Sequence, residues 1–186
     1  MFKFKGKLTS LIQLNISDAA EIVNLRNDEK FNKFLFQEPI SLEEQKKWIN
    51  NKNTLETEVN FKITDANNNF VGTISIYNIE NHKGEFGRYI AKNPINAIEA
   101  ELLLLKFCFE ELKLRAVYCF TNINNIKVYS QHTKLGFKDI GIVSVNVGSA
   151  SNIKSVEAIH QEISNEDYIR FDYDNIHNLI YKFAQR

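Results

Sequence analysis

From Val59 to Thr64 apolar residues (Val59, Phe61, Ile63) alternate with Asn60, Lys62 and Thr64, the period-two pattern of a half-buried strand. The turn Asp65-Ala66-Asn67-Asn68-Asn69 follows, and a return strand through Phe70–Tyr77 completes a hairpin. Glu85–Ala91 adds a third strand, so this region predicts an antiparallel meander. On its N-terminal side, residues 2–14 alternate as a strand or hairpin arm. Ser17-Asp18 is placed to cap a helix carrying Ala20, Ile22, Val23 and Leu25 as far as Arg26-Asn27. A short helix over about Asp28–Phe36 presents Phe31, Phe34 and Leu35, and Pro39 stops it. Ser41-Leu42-Glu43-Glu44 reads as a capping box for a helix bearing Trp48 and Ile49 to about Lys52. Beyond the meander, Asn93-Pro94 opens a long apolar helix to about Lys113. A strand at Ala116–Thr121 and a helix from the Asn122–Asn125 turn to Lys134-Leu135-Gly136-Phe137 come next. Strands at about Lys138–Asn146 and Ser155–Glu162 flank the loose loop 148–152. Ser164 then caps a C-terminal helix with Tyr168, Ile169, Ile176, Leu179, Ile180 and Phe183.

The order β-α-α-α-β-β-β-α-β-α-β-β-α mixes a meander with one parallel crossover, which predicts an α+β fold whose sheet must part somewhere, because the crossover strand joins it from the other side. At 186 residues the chain is expected to form a single domain, 1–186. Its 23 basic and 23 acidic residues balance, which argues against nucleic acid or an anionic membrane as partner. Cys108 and Cys119 lie in apolar runs without metal-ligand spacing, as reduced core residues do, and no metal is expected. The N-terminus lacks the apolar core of a signal peptide, and no apolar run reaches the ~20 residues of a membrane span. A cytoplasmic protein is the expectation.

The wording of residues 83–137 narrows the reading. Glu85-Phe86-Gly87 with Tyr89-Ile90, the segment Ala97-Ile98-Glu99-Ala100 at the head of a helix, Asn125, and the closing Lys134-Leu135-Gly136-Phe137 resemble, in register, the acyl-CoA-binding half of the GNAT family of N-acetyltransferases. Leu25-Arg26-Asn27, Ile40-Ser41-Leu42-Glu43-Glu44-Gln45 and Trp48-Ile49 resemble GNAT members that acetylate the 4-amino group of UDP-linked dideoxy amino sugars, as in pseudaminic acid synthesis. Ribosomal-protein acetyltransferases share part of this pattern.

The resemblance implies a mixed sheet with helices on its flanks and acetyl-CoA as co-substrate. The pantetheine arm would run along Tyr89, Ile90 and Ala91, in the manner of an added strand. The pyrophosphate would sit at the helix N-terminus on the loop containing Lys92, Ile95, Asn96 and Ala97. Lys92 occupies the loop's usual Arg/Gln place and Ile95 stands where the family has Gly, a departure that narrows the approach to the amides. Asn125 would bond the pantetheine arm. His132 stands where the family commonly has the Tyr that protonates the leaving thiolate, with Tyr129 one turn earlier as a second donor and Glu85 as a general base through water. Arg26, Asn27 and Phe36 fall where the acceptor binds, Arg26 being suited to a phosphate.

The residues alone also admit plainer roles. His132 fits a partly exposed helix face, Asn125 an N-cap, Arg26 a helix C-terminal charge, and Phe34, Phe36 and Trp48 a core. His160 and His177 read as packing or surface residues. Three functional readings follow: direct acetyl transfer to a small-molecule primary amine, such as that of a nucleotide-linked amino sugar; acetylation of a protein N-terminus; and an inactive GNAT domain used for binding, to which Ile95 and His132 would point. A homodimer is compatible with each.

Overall fold

The computed structural model describes residues 2–35, 39–52, 56–149 and 152–184. Its strands are β1 (Lys3–Lys5), β2 (Thr9–Gln13), β3 (Val59–Asp65), β4 (Phe70–Glu80), β5 (Lys83–Ala91), β6 (Ala116–Asn122), β7 (Lys138–Ser149) and β8 (Asn152–Ser164). They form one sheet in the order β1-β2-β3-β4-β5-β6-β8-β7. Every neighbouring pair is antiparallel except β5–β6, which is parallel. The mixed α+β architecture with one crossover is therefore as the sequence predicts.

The helices are α1 (Ala19–Asn27), α2 (Glu29–Asn32), α3 (Leu42–Lys52), α4 (Pro94–Lys106), α5 (Ile126–Lys134), α6 (Asn165–Arg170) and α7 (Tyr173–Ala184). The expected capping box of α3 is present: Glu44 N–H bonds Ser41 Oγ at 3.3 Å, and Ser41 N–H reaches Glu44 Oε2 at 2.8 Å. At α1 the cap differs from the expectation. Asn15 caps a short 3-10 turn, Ile16–Asp18, and the Asp18 carboxylate accepts from Lys62 at 2.6 Å and from Asn15 N–H. The long helix stops being regular at Lys106, where a π turn over Phe107–Glu111 carries the chain to Lys113, in a left-handed conformation. The expected C-terminal helix is two helices: Ser164 caps α6, and the chain turns at Phe171 before α7 begins.

Two apolar clusters hold the layers together. One joins Ala100, Leu103, Leu104 and Phe107, in and after α4, to Leu11, Phe61, Ile63, Ile74, Val117 and Ile163 of the sheet. The other joins Leu14, Ile22, Leu25 and Ile49, from the α1–α3 region, to Phe70 and Ile90. The sheet thus carries α4 on one flank and α1 with α3 on another, and both groups reach the point where β5 ends. Among the described residues no helix is long and apolar enough to cross a membrane.

Candidate active site

The parallel pair β5–β6 is short. Lys83, Gly84 and Glu85 pair with Ala116, Val117 and Tyr118, and beyond that the strands separate, although β5 continues to Ala91 and β6 to Asn122. Two features bend β5 away. Ser75 faces Gly87 and Thr73 faces Ile90, so Arg88 and Tyr89 together oppose Ile74 in a bulge, with Arg88 at φ 49°. Thr73 Oγ1 donates to the Arg88 carbonyl at 3.0 Å and fixes it. At Gly87 a Cβ would lie 2.6 Å from the Tyr77 hydroxyl oxygen, so any larger residue would displace that ring. The gap is a cavity of about 200 Å³, bounded by β5, β6, the start of α5 and residues Arg26, Phe34 and Leu35.

One wall is built by α5. Asn125 caps it through Val128 N–H, and Lys134-Leu135-Gly136-Phe137 closes it. Gly136, at φ 97°, lets its own N–H bond the Thr133 carbonyl while Phe137 N–H bonds that of His132. This is a Schellman cap, which explains the glycine in the closing motif. The cap brings Phe137 back against the His132 ring at 5.3 Å between centroids, and Phe86 packs on that ring at 5.1 Å. His132 is buried rather than partly exposed, and Nδ1 lies 2.7 Å from Oε1 of Glu101, a residue of α4 that is fully buried. Gln131 Nε2 donates to the other Glu101 oxygen at 2.6 Å and to the Tyr89 hydroxyl at 2.8 Å. Burial, reinforced by the Glu101 carboxylate, pushes the Tyr89 phenol well above its ordinary range.

The facing wall is cationic. The Arg88 guanidinium lies 4.0 Å from the ring centroid of Tyr77 and 4.9 Å from that of Trp48, and its Nη1 donates to Glu58 and to Asn60, each at 2.9 Å. Lys52 donates to the second oxygen of Glu58 at 3.0 Å. Burial alone would raise the Glu58 carboxyl, but hydrogen bonds from Asn60, Arg88 and Lys52 outweigh it and hold the group below the usual carboxylate range. Arg26, at the end of α1, lines the same wall. Burial and the nearby Arg88 charge lower its pKa, which places two guanidiniums within electrostatic reach of each other.

Residues 9–138 match the family model described as an acetyltransferase (GNAT) domain. This chain belongs to the GNAT acetyltransferase family. Among solved structures it resembles FdhC, described as a nucleotide-linked sugar GNAT, with a TM-score of 0.78 and 24% identity over 95% of this chain and 97% of that one. It also resembles the spermidine N-acetyltransferase of Vibrio cholerae in complex with CoA and spermine, with a TM-score of 0.74 and 22% identity over 87% and 98%. A GNAT from Brucella melitensis matches with a TM-score of 0.74 and 19% identity over 90% and 80%. No curated protein sequence matches significantly. Family membership makes the chain an acyltransferase of the N-acetyltransferase type.

In this GNAT the expected site residues separate into those at the cavity and those away from it. Arg26, Tyr89, Ile90, Asn125 and His132 line it, and Asn125 serves as N-cap at the same time. Glu85 stands behind the cavity-lining Tyr77: it accepts from the Tyr77 hydroxyl at 2.7 Å and from Asn78 at 2.8 Å. Burial and the Glu85 charge push the Tyr77 phenol far up. Tyr129 donates to Asp139 at 2.8 Å, outside the lining. Asn27 clamps the backbone of Ile40 through both side-chain atoms. Phe36 lies outside the described residues, as does the side chain of His177. His160 packs on Phe120 and Tyr118.

The loop before α4 is largely self-satisfied. Ala91 pairs with Gly72, and Lys92 N–H bonds the Val71 carbonyl while its ammonium reaches the Phe70 carbonyl at 3.4 Å. Asn93 accepts from Ile95 N–H at 2.8 Å, Ala97 N–H returns to Asn93, and Pro94 has no N–H. Asn96 donates to Thr9 Oγ1 at 3.0 Å, and Ile95 packs beside Leu102, Leu135 and Ile180. Helix termini bind anions through unpaired amides, so this one offers fewer than a Gly-containing loop would.

Sequence reading missed Glu101, Gln131, Tyr77, Arg88 and Glu58. Glu101 carried a signal: it is a lone carboxylate entering the run Leu102–Leu105, and a charge on a core-facing helix needs a partner. Arg88 carried none, since strand alternation sets it on the face opposite Glu85 and the bulge is not written in residue types.

Proposed function

We propose that this GNAT transfers an acetyl group from acetyl-CoA directly to the primary amine of a small anionic acceptor, a nucleotide-linked amino sugar. The composition of the cavity wall carries the reading: Arg26 and Arg88 line it, and no Asp or Glu does among the described residues. A polyamine would demand carboxylates there, whereas a nucleotide diphosphate fits two guanidiniums. The likeness to FdhC supports the same choice. The parted β5 edge at Tyr89 and Ile90 suits a pantetheine arm added as a strand, with Asn125 beside it. His132 is the proton donor to the leaving thiolate, and Glu85 acts only indirectly, by holding the hydroxyl of the cavity-lining Tyr77. Cys119 also lines the cavity, but burial and the Glu101 charge push its thiol well up, away from the thiolate an acyl-enzyme needs.

The test is thiol release from acetyl-CoA with UDP-4-amino-4,6-dideoxy sugars and with spermidine as acceptors. The sugar nucleotide is expected to exceed spermidine by at least about 100-fold in kcat/KM, and Arg26→Gln to raise its KM about 10- to 100-fold with kcat little changed. A preference for spermidine, or an Arg26→Gln enzyme with unaltered KM, would sink the assignment.

A further inference from the structure

We infer that Glu101 is a positioning residue for His132, holding the imidazole with its proton on Nδ1 so that Nε2 serves the reaction. The inference rests on the acetyl-transfer reading above for the role of His132, and on geometry for the pairing itself. Gln131 donates to one Glu101 oxygen at 2.6 Å and the other oxygen lies 2.7 Å from Nδ1 of His132; Glu101 acts here as a carboxylate, which has no proton to give. Nδ1 therefore carries the hydrogen, and the bond fixes which nitrogen is left over. That pair is sealed from water, Glu101 being 0% and His132 2% exposed. The ring is held on its other sides by Phe86 and Phe137, with Tyr89 further off at 6.3 Å. Among the described residues, Tyr77, Tyr89 and Cys119 are further titratable groups at the cavity, Tyr173 acts electrostatically on Glu101, and Arg26 and Arg88 stand on the facing wall.

A buried carboxylate is costly unless its partners need it, and here the partner needs it twice. It selects the tautomer, and it balances the imidazolium that must exist when His132 acts as an acid. In the transfer, the amine nitrogen bonds to the thioester carbonyl carbon and the carbon–sulfur bond breaks with its electron pair on sulfur. Nε2–H of the imidazolium gives its proton to that sulfur. The proton leaving the acylated nitrogen returns to Nε2, so the imidazolium is restored and the sum is amide plus free thiol. Glu101 touches none of the reacting atoms.

The first readout needs no acceptor. Nitrogen-15 spectra of histidine-labelled protein at alkaline pH, with His132 assigned through His132→Gln, are expected to show neutral His132 protonated on Nδ1. Glu101→Leu should move that proton to Nε2. The second readout is kinetic: Glu101→Leu and the milder Glu101→Gln are expected to lower kcat about 10- to 100-fold with the acetyl-CoA KM within about two-fold. In a His132→Gln background neither should cost more than about two-fold, since a group acting through His132 has nothing left to act on. A wild-type His132 protonated on Nε2, or an undiminished Glu101 effect without His132, would overturn the inference. Should Glu101→Leu fail to fold, the wild-type tautomer and the Glu101→Gln pair still decide it. Should the acceptor assignment fail, the spectra stand unaffected.

Discussion

The two walls of the cavity handle charge in opposite ways. On the α5 side, one carboxylate and one imidazole are buried together, enclosed by Phe86 and Phe137 and tied to Gln131. On the bulge side, Lys52 and Arg88 share the carboxylate of Glu58, Arg88 lies over two aromatic rings, and Arg26 stands within electrostatic reach of Arg88. A matched, dry pair keeps one proton in one place, which is what a transfer step uses. Guanidiniums lining a partly open wall attract and orient a ligand of the other sign, which is what recognition uses. The chemistry and the selectivity of this GNAT are thus separable, and substitutions on the two walls should register in different constants.

The largest effect is expected from His132→Gln, which removes the proton donor and leaves the cationic wall untouched. A fall in kcat of about 100- to 1000-fold with both KM values within about three-fold would place the chemistry on the α5 wall. Equal losses in kcat and acceptor binding would mean the walls are not independent.

A second comparison, within α4, sharpens the first. Glu99 and Glu101 are two residues apart and both buried, so composition cannot tell them apart. Glu99 accepts from the backbone N–H groups of Lys7 at 2.7 Å and Leu8 at 2.9 Å, fastening the β1–β2 turn to the helix. Glu101 accepts only from side chains at the cavity in the bonds described above. Glu99→Gln is expected to cost about 1 kcal/mol in urea unfolding, because two part-buried amides lose their charged acceptor, with kcat and KM unchanged. A kinetic defect comparable to that of the Glu101 variants would erase the distinction.

How much of this was legible in sequence follows the range of the interactions involved. The α3 capping box joins residues three apart, and it is present where Ser41 and Glu44 predict it. The crossover implied that the sheet must part, and β5 and β6 do part after Glu85 and Tyr118. The closing motif placed His132 in register because a Schellman cap is local too. What the sequence hid was long-range. His132 meets Glu101 across 31 positions, and Arg88 meets Glu58 across 30. The Arg88 bulge shifts the alternation by one, so Arg88 and Glu85 both reach Tyr77 although period two separates them.

The smallest effect tests the cationic wall through stability. The folded-state carboxyl of Glu58 titrates below its unfolded value, so its contribution is complete above the unfolded carboxylate range, about pH 4.3, and is lost as pH falls through the folded value. Wild type should therefore lose stability on acidification from about pH 5 to pH 3 that Glu58→Gln does not lose, the difference amounting to about 1 kcal/mol given the open edge of the site. Urea midpoints measured across that range read it directly. If the two proteins fall in parallel, the cations around Glu58 do not depend on its charge, and the positive wall is held by packing on Tyr77 and Trp48 alone.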